Sequence, residues 1–278
     1  MFLGTLGKQK TDLLPLNSTS TVFNDWRDCV LNNADKMANE SFIKWPTVLV
    51  HCDTDLLFNL KVKDFKWHDN IVRLAYDKEN KVEPTILAFG NGLDKKEMKK
   101  VHQVLGHNAT KFYGGLPLDN VSQKRFEAST GLYEFSAPID IQNPSSIIDS
   151  TYTGYYGSQD FANFILLNNE IKLIDALWLD FGAREEEILP FALKGGFFDR
   201  RGILVCQIHS YIHYGQNINE LSALIHKIVA EGKYAIVKPL PPGLLVNSHY
   251  PLSLPLTLYM INLEDSVCKQ RYSKAVLV

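Results

Sequence analysis

Along this chain the rhythm of apolar positions changes near Pro84. Before it, short apolar groups at 46–50, 56–60 and 71–75 are interleaved with charge, and KENKVEP at 78–84 is a hydrophilic break. After it, short apolar runs alternate with longer segments of helical period, the pattern of βαβ units around a parallel sheet. This divides the chain into an N-terminal arm and cap over residues 1–83 and a main α/β domain over 84–278.

Residues 1–20 are polar, with Pro, Ser and Thr but no periodicity, so they are expected to stay mobile until Ser20 or Thr21 caps a helix through Val22, Trp26, Cys29 and Val30. In the main region TILAFG (85–90) reads as a buried strand. Its helix follows, with Met98, Val101, Val104 and Leu105 on one stripe and Gly106 as the stop. TKFYGG (110–115), GLYEFS (131–136), IDALWLDF (174–181) and ILVCQIHS (203–210) are the next strands. Helical runs are expected at 161–167 and over REEEILPFALKGG (184–196), where Pro190 predicts a kink.

The cleanest unit lies further on. Asn217 or Asn219 caps a helix, Leu221, Leu224, Ile225, Ile228 and Val229 form its buried stripe, and Gly232 ends it before the strand YAIVK. LTLYMINL (256–263) is the last strand, and a Pro-rich loop at 239–255 separates the two. They are expected to pair antiparallel at a sheet edge.

With 278 residues, 45% hydrophobic and 22% charged, the chain can bury a substantial core without a disulfide or metal staple. A net charge of −2 and the lack of a long basic block argue against a nucleic-acid partner. The apolar stretch 251–263 is too short and polar to span a bilayer, so no membrane span is expected. The opening MFLGTLGKQK lacks the basic start and apolar run of a signal peptide. Cys29, Cys52, Cys206 and Cys268 are far apart with no CxxC pair, and read as ordinary thiols. Sequons at Asn17, Asn39, Asn108 and Asn120 decide little, because roughly two would arise by chance in this composition. The expected compartment is the cytoplasm.

Three segments carry candidate chemistry. FGNGLD (89–94) joins strand to helix with Gly90 and Gly92, letting backbone amides approach a ligand, although a plain βα turn needs no ligand. WLDFGAREEE places Asp180 near the carboxyl end of a buried strand, where ligands of open α/β sheets collect. At least two of Glu185, Glu186 and Glu187 read better as a solvated first helical turn. In CQIHSYIH, Cys206, His209 and His213 invite a metal reading. On a strand, however, Cys206 points away from the two histidines and no fourth ligand is near, so a polar or general-base role for one histidine at the site mouth is preferred.

In this order, ILAFGNGLDKKE, KFYGGLPLDN, IDALWLDFGAREEEILPFALKGG, GILVCQIHSYIH, KYAIVKPL and LYMINLEDSVCKQRY resemble the FkbM-like S-adenosylmethionine-dependent methyltransferases, in a divergent animal branch. The resemblance covers about residues 84–270, and Trp26 with Cys29 is similar to that branch's N-terminal helix. It implies a Rossmann-like methyltransferase sheet, mostly parallel with an antiparallel edge strand, plus an N-terminal helical cap. It also implies S-adenosylmethionine as cofactor and O-methyl transfer to a hydroxyl of a small molecule or glycan. Gly90, Gly92 and Asp94 inherit the cofactor loop, and Leu116 and Asp119 fall at the end of the second strand. Asp180 and His213 are the acceptor-side candidates.

Three departures from the family pattern stand together. The second strand of the branch reads FYGADP where this chain has FYGGLP, so Leu116 replaces the carboxylate that would accept the ribose hydroxyls. Gly182 stands where the central motif has its middle carboxylate, and Tyr211 where a later strand carries Glu. The apolar framework persists while these acids are lost. That combination implies either weak cofactor binding or a catalytically inert binding or scaffold protein on the same fold. A dinucleotide oxidoreductase fits poorly, since the third glycine of that fingerprint is missing.

Overall fold

The computed structural model of the chain describes residues 16–36, 45–53, 62–67, 70–75, 84–90, 100–101, 103, 111–117, 135–139, 165, 171–180, 188–212, 218–237 and 256–276. In chain order the strands are β1 (Val62–Trp67), β2 (Asn70–Ala75), β3 (Thr85–Gly90), β4 (Lys111–Pro117), β5 (Phe135–Ile139), β6 (Leu173–Ile174), β7 (Ala176–Asp180), β8 (Leu204–Val205), β9 (Gln207–Ile212), β10 (Tyr234–Ile236) and β11 (Leu256–Asn262). The helices are α1 (Leu16–Lys36), α2 (Trp45–His51), α3 (Phe197–Arg200), α4 (Ile218–Glu231) and α5 (Ser266–Val276).

Seven strands form one α/β sheet in the order β10-β11-β9-β7-β3-β4-β5. Pairing from β9 through β7, β3 and β4 to β5 is parallel, and β11 is antiparallel to both β9 and β10. The sheet is therefore mostly parallel, and the expected antiparallel pair of YAIVK with LTLYMINL lies at one edge. The antiparallel member β11 sits one place in, because β10 forms the edge itself.

Strands β3, β7, β9, β10 and β11 bury both faces along their described positions, as a sheet covered on two sides requires. Ala88, Trp178, His209 and Tyr259 occupy one register row across β3, β7, β9 and β11, and Phe89, Leu179, Ser210 and Leu258 form the row behind it. All eight are at most 2% exposed. The α4 stripe predicted from Leu221, Leu224, Ile225, Ile228 and Val229 packs with Trp26 and Val30 of α1 into a core shared with Leu87, Phe89, Leu177 and Ile208. Gly232, at φ 65°, takes the left-handed turn that ends α4. The arm is thus built into the main core. Trp45 of α2 strengthens this by donating its indole N–H to Ser222 Oγ at 2.7 Å.

Several expectations are corrected. Helix α1 begins at Leu16, ahead of the expected cap, and residues 1–15 lie outside the described set. The third parallel strand is Phe135–Ile139, shifted toward the carboxyl side of GLYEFS. IDALWLDF is not one strand: Asp175 interrupts it, its N–H donating to Thr85 O and its carboxylate accepting from Thr85 N–H, both at 2.8 Å. Arg271 lies 3.4 Å from that carboxylate. Burial still raises the Asp175 pKa, against the Thr85 hydrogen bond and the Arg271 charge.

The described part of 184–196 is a 3-10 turn, Leu189–Ala192, followed by the single helical turn α3. Pro190 suits the start of such a turn, and a Cβ at Gly196 would fall 2.5 Å from the Pro190 carbonyl oxygen, so the chain folds back there where a helix would run on. Of the helix expected after TILAFG, residues 100, 101 and 103 are described and helical, with Val101 buried. Of the run at 161–167, residue 165 is described, helical and buried.

The cysteines are not free thiols. Cys29 pairs with Cys52 and Cys206 with Cys268, leaving no cysteine unpaired. The first bond ties α1 to the end of α2. The second ties the β8–β9 junction to α5. Spacing alone could not reveal partners that only the packing of separate elements brings together.

Candidate functional site

Gly90 ends β3 and Asp180 ends β7, and the two are register partners on adjacent parallel strands. From β3 the chain moves to β4 and β5 on one side, then crosses to β7 and β9 on the other. The carboxyl ends of β3 and β7 therefore mark the topological switch point, the place where open α/β sheets bind their ligands. Leu116 stands near the end of β4, one residue beyond Gly115, the partner of Phe89. The fold thus brings Gly90, Leu116 and Asp180 to the carboxyl edge of three neighbouring strands. Gly92, Asp94, Asp119, Gly182, the glutamates 185–187 and His213 lie outside the described residues.

Beside this edge, β9 presents polar side chains at alternate positions to the backbone of β2. Gln207 accepts from Ala75 N–H at 2.8 Å and donates to Ala75 O at 2.9 Å. His209 Nδ1 accepts from Arg73 N–H at 3.1 Å, and the Tyr211 hydroxyl engages both the N–H and the C=O of Ile71. Tyr259 of β11 adds a bond from Ala75 N–H at 2.7 Å and donates to Gln207 Oε1 at 2.6 Å. The backbone of β2 satisfies Gln207, His209 Nδ1 and the Tyr211 hydroxyl, while His209 Nε2 and Ser210 Oγ are buried without a hydrogen-bond partner among the described residues.

In CQIHSYIH the acceptor-side candidate His213 lies outside the described residues, and the structure bears on Cys206 and His209. Cys206 is in a disulfide, His209 uses Nδ1 to accept from Arg73 N–H, and among the described residues no cluster of three metal-binding side chains occurs. His209 is also unsuited to be a general base. Burial, with the nearby Arg73 charge, pushes its pKa down to about 3.

A cavity of about 690 Å³ lies at the opposite end of the sheet, by the start of β8 and β10 and the end of β11. Its charges are internally matched: Lys233 meets Asp199 at 2.6 Å and the Ala192 carbonyl at 2.9 Å, and Lys194 meets Glu264 at 2.7 Å. These pairs join the 3-10 turn and α3 to β10 and the segment before α5. They account for the polar lining without a ligand.

No protein-family model matches the chain, and no curated protein matches it. The functional reading therefore rests on the residues and on the switch-point geometry.

Proposed function

We propose that the chain is an S-adenosylmethionine-binding protein of methyltransferase type, with the cofactor over the Gly90 loop and Asp180 on the acceptor side. The observation that carries this reading is the Gly90–Asp180 pair at the switch point of a sheet with an inserted antiparallel strand. Counted in chain order, the seven strands lie 3-2-1-4-5-7-6, with the seventh antiparallel. The dinucleotide-binding order 3-2-1-4-5-6 has no such insertion, which favours the methyltransferase reading over a nicotinamide enzyme. Placing the methyl donor in line with an acceptor hydroxyl is the chemistry such a crevice supplies.

A catalytically inert binding protein on the same fold is the second reading, and Tyr211 favours it. That position, acidic in the family the chain resembles, is here committed to holding β2. Calorimetric titration with S-adenosylmethionine and S-adenosylhomocysteine separates a cofactor-binding protein from a fold that has lost its ligand. Heat of binding for either supports the first reading, and none for both refutes it.

The compartment reading shifts as well. Two disulfides that consume every cysteine favour folding in an oxidising compartment over the cytoplasm, where thiols are kept reduced.

A further inference from the structure

Strand β2 has one edge paired with β1. Its other edge would expose a row of unpaired backbone groups, a liability in any sheet. Side chains of β9 cover it in place of a strand: 207 meets 75, 209 meets 73 and 211 meets 71. The two series run in opposite senses, so β2 lies antiparallel over β9, and its Asn70 end points toward the carboxyl edge of the sheet.

Two observations put that end beside Asp180. Leu179 and Ser210 are register partners, so residues 180 and 211, each one further on, stand at the same level of neighbouring strands. Phe65 of β1 meets Trp178 with ring centroids 6.4 Å apart, two residues before Asp180. The hairpin therefore straddles β7 and β9 immediately before the switch point. Its inner side, Phe65, Val72 and Leu74, is buried with Ile86, Ala88 and Trp178.

We propose that Tyr211 is a positioning residue whose clasp on Ile71 holds the β1–β2 hairpin as a fixed wall beside Asp180, so that the hairpin sets the size of the molecule admitted there. The clasp uses one hydroxyl for a donor and an acceptor together, which a carboxylate cannot do. In this reading the acid missing at position 211 marks a change of role. The inference rests on Asp180 being the acceptor-side group.

The test uses the full chain carrying Asp180→Cys, with the four native cysteines left paired, labelled by N-ethylmaleimide and by a bulky polymer-linked maleimide. Adding Tyr211→Phe keeps the ring and removes the clasp. It is expected to raise the bulky-to-small rate ratio about thirtyfold, the effect of losing two hydrogen bonds of ordinary strength. An unchanged ratio overturns the proposal. As a second measurement on the unsubstituted chain, the amides of Ile71, Arg73 and Ala75 should exchange as slowly as those of Val72 and Leu74, which face β1. Fast exchange at Ile71 alone would equally overturn it. Cofactor titration uses neither variant, so failure of the methyltransferase reading and failure of the wall are distinguishable.

Discussion

Gly90 and Asp180 are the last register partners of β3 and β7, and the chain leaves the sheet from both at the same level. The topology reverses between these two strands, and in open α/β sheets such a switch point is where ligands bind. A ligand bound at the switch point would pass close to the backbone at Gly90.

Gly90→Val is therefore expected to abolish calorimetric binding of S-adenosylhomocysteine, since a β-branched side chain at the strand end fills the approach to the loop. The melting temperature should fall only by a few degrees, as valine is at home in a strand. Binding equal to wild type would take the glycine loop out of the site.

Leu116→Asp tests the proposal that a ribose-binding carboxylate is missing at this position. A hydrogen bond to a charged group contributes about 1.5–3 kcal/mol, so the substitution should tighten cofactor binding by about one decade or more. Tight binding by the unsubstituted chain, with no gain in the variant, would mean that another group such as Asp119 already fills this role.

What the sequence revealed is what local periodicity can encode. The α4 stripe and its stop at Gly232 follow from residue spacing, the strand TILAFG and the antiparallel pair at the edge from the βα alternation together with the resemblance, and the structure places each as expected. The interruptions at Asp175 and Cys206 were not legible, because each residue's backbone bonds to a partner far along the chain: Asp175 to Thr85, and Cys206 to Ile174 and Asn262. In this segment the sequence pointed only to a histidine at a site mouth, whereas Gln207, His209 and Tyr211 alternate along β9 as one polar row. Its use became clear only once β2 was seen lying across it. Asp180 was found by its position at a strand end, and the structure brings it to Gly90. The loops bearing the other candidates lie outside the described residues.

The disulfides should dominate stability. On the chain-entropy model, closing loops of 23 and 62 residues is worth about 3 and about 4 kcal/mol. Replacing Cys206 and Cys268 together by alanine should therefore lower the denaturation midpoint more than replacing Cys29 and Cys52. Alkylation of the native protein before reduction, read by intact mass, should label no thiol. Four labelled cysteines would refute both the pairing and the oxidising compartment.

Acid should destabilise the fold through His209. Its folded pKa is about 3, against 6.5 for a free histidine, because the ring is fully buried and Arg73 adds a positive charge close by. Between these two values the unfolded chain binds the proton and the folded chain does not. The stability is therefore full above about pH 6.5 and is lost as pH falls toward 3, at up to ~1.4 kcal/mol per pH unit. Between pH 7 and pH 4 this single residue should cost about 3 kcal/mol. His209→Asn isolates the effect, since the asparagine Oδ1 can replace Nδ1 as acceptor for Arg73 N–H while nothing remains to titrate. Denaturant melts at pH 7 and pH 4 should show a smaller loss in the variant. Equal losses in the two proteins would mean that His209 opens to solvent before it is protonated, and that the β2–β9 contact is looser than its hydrogen bonds imply.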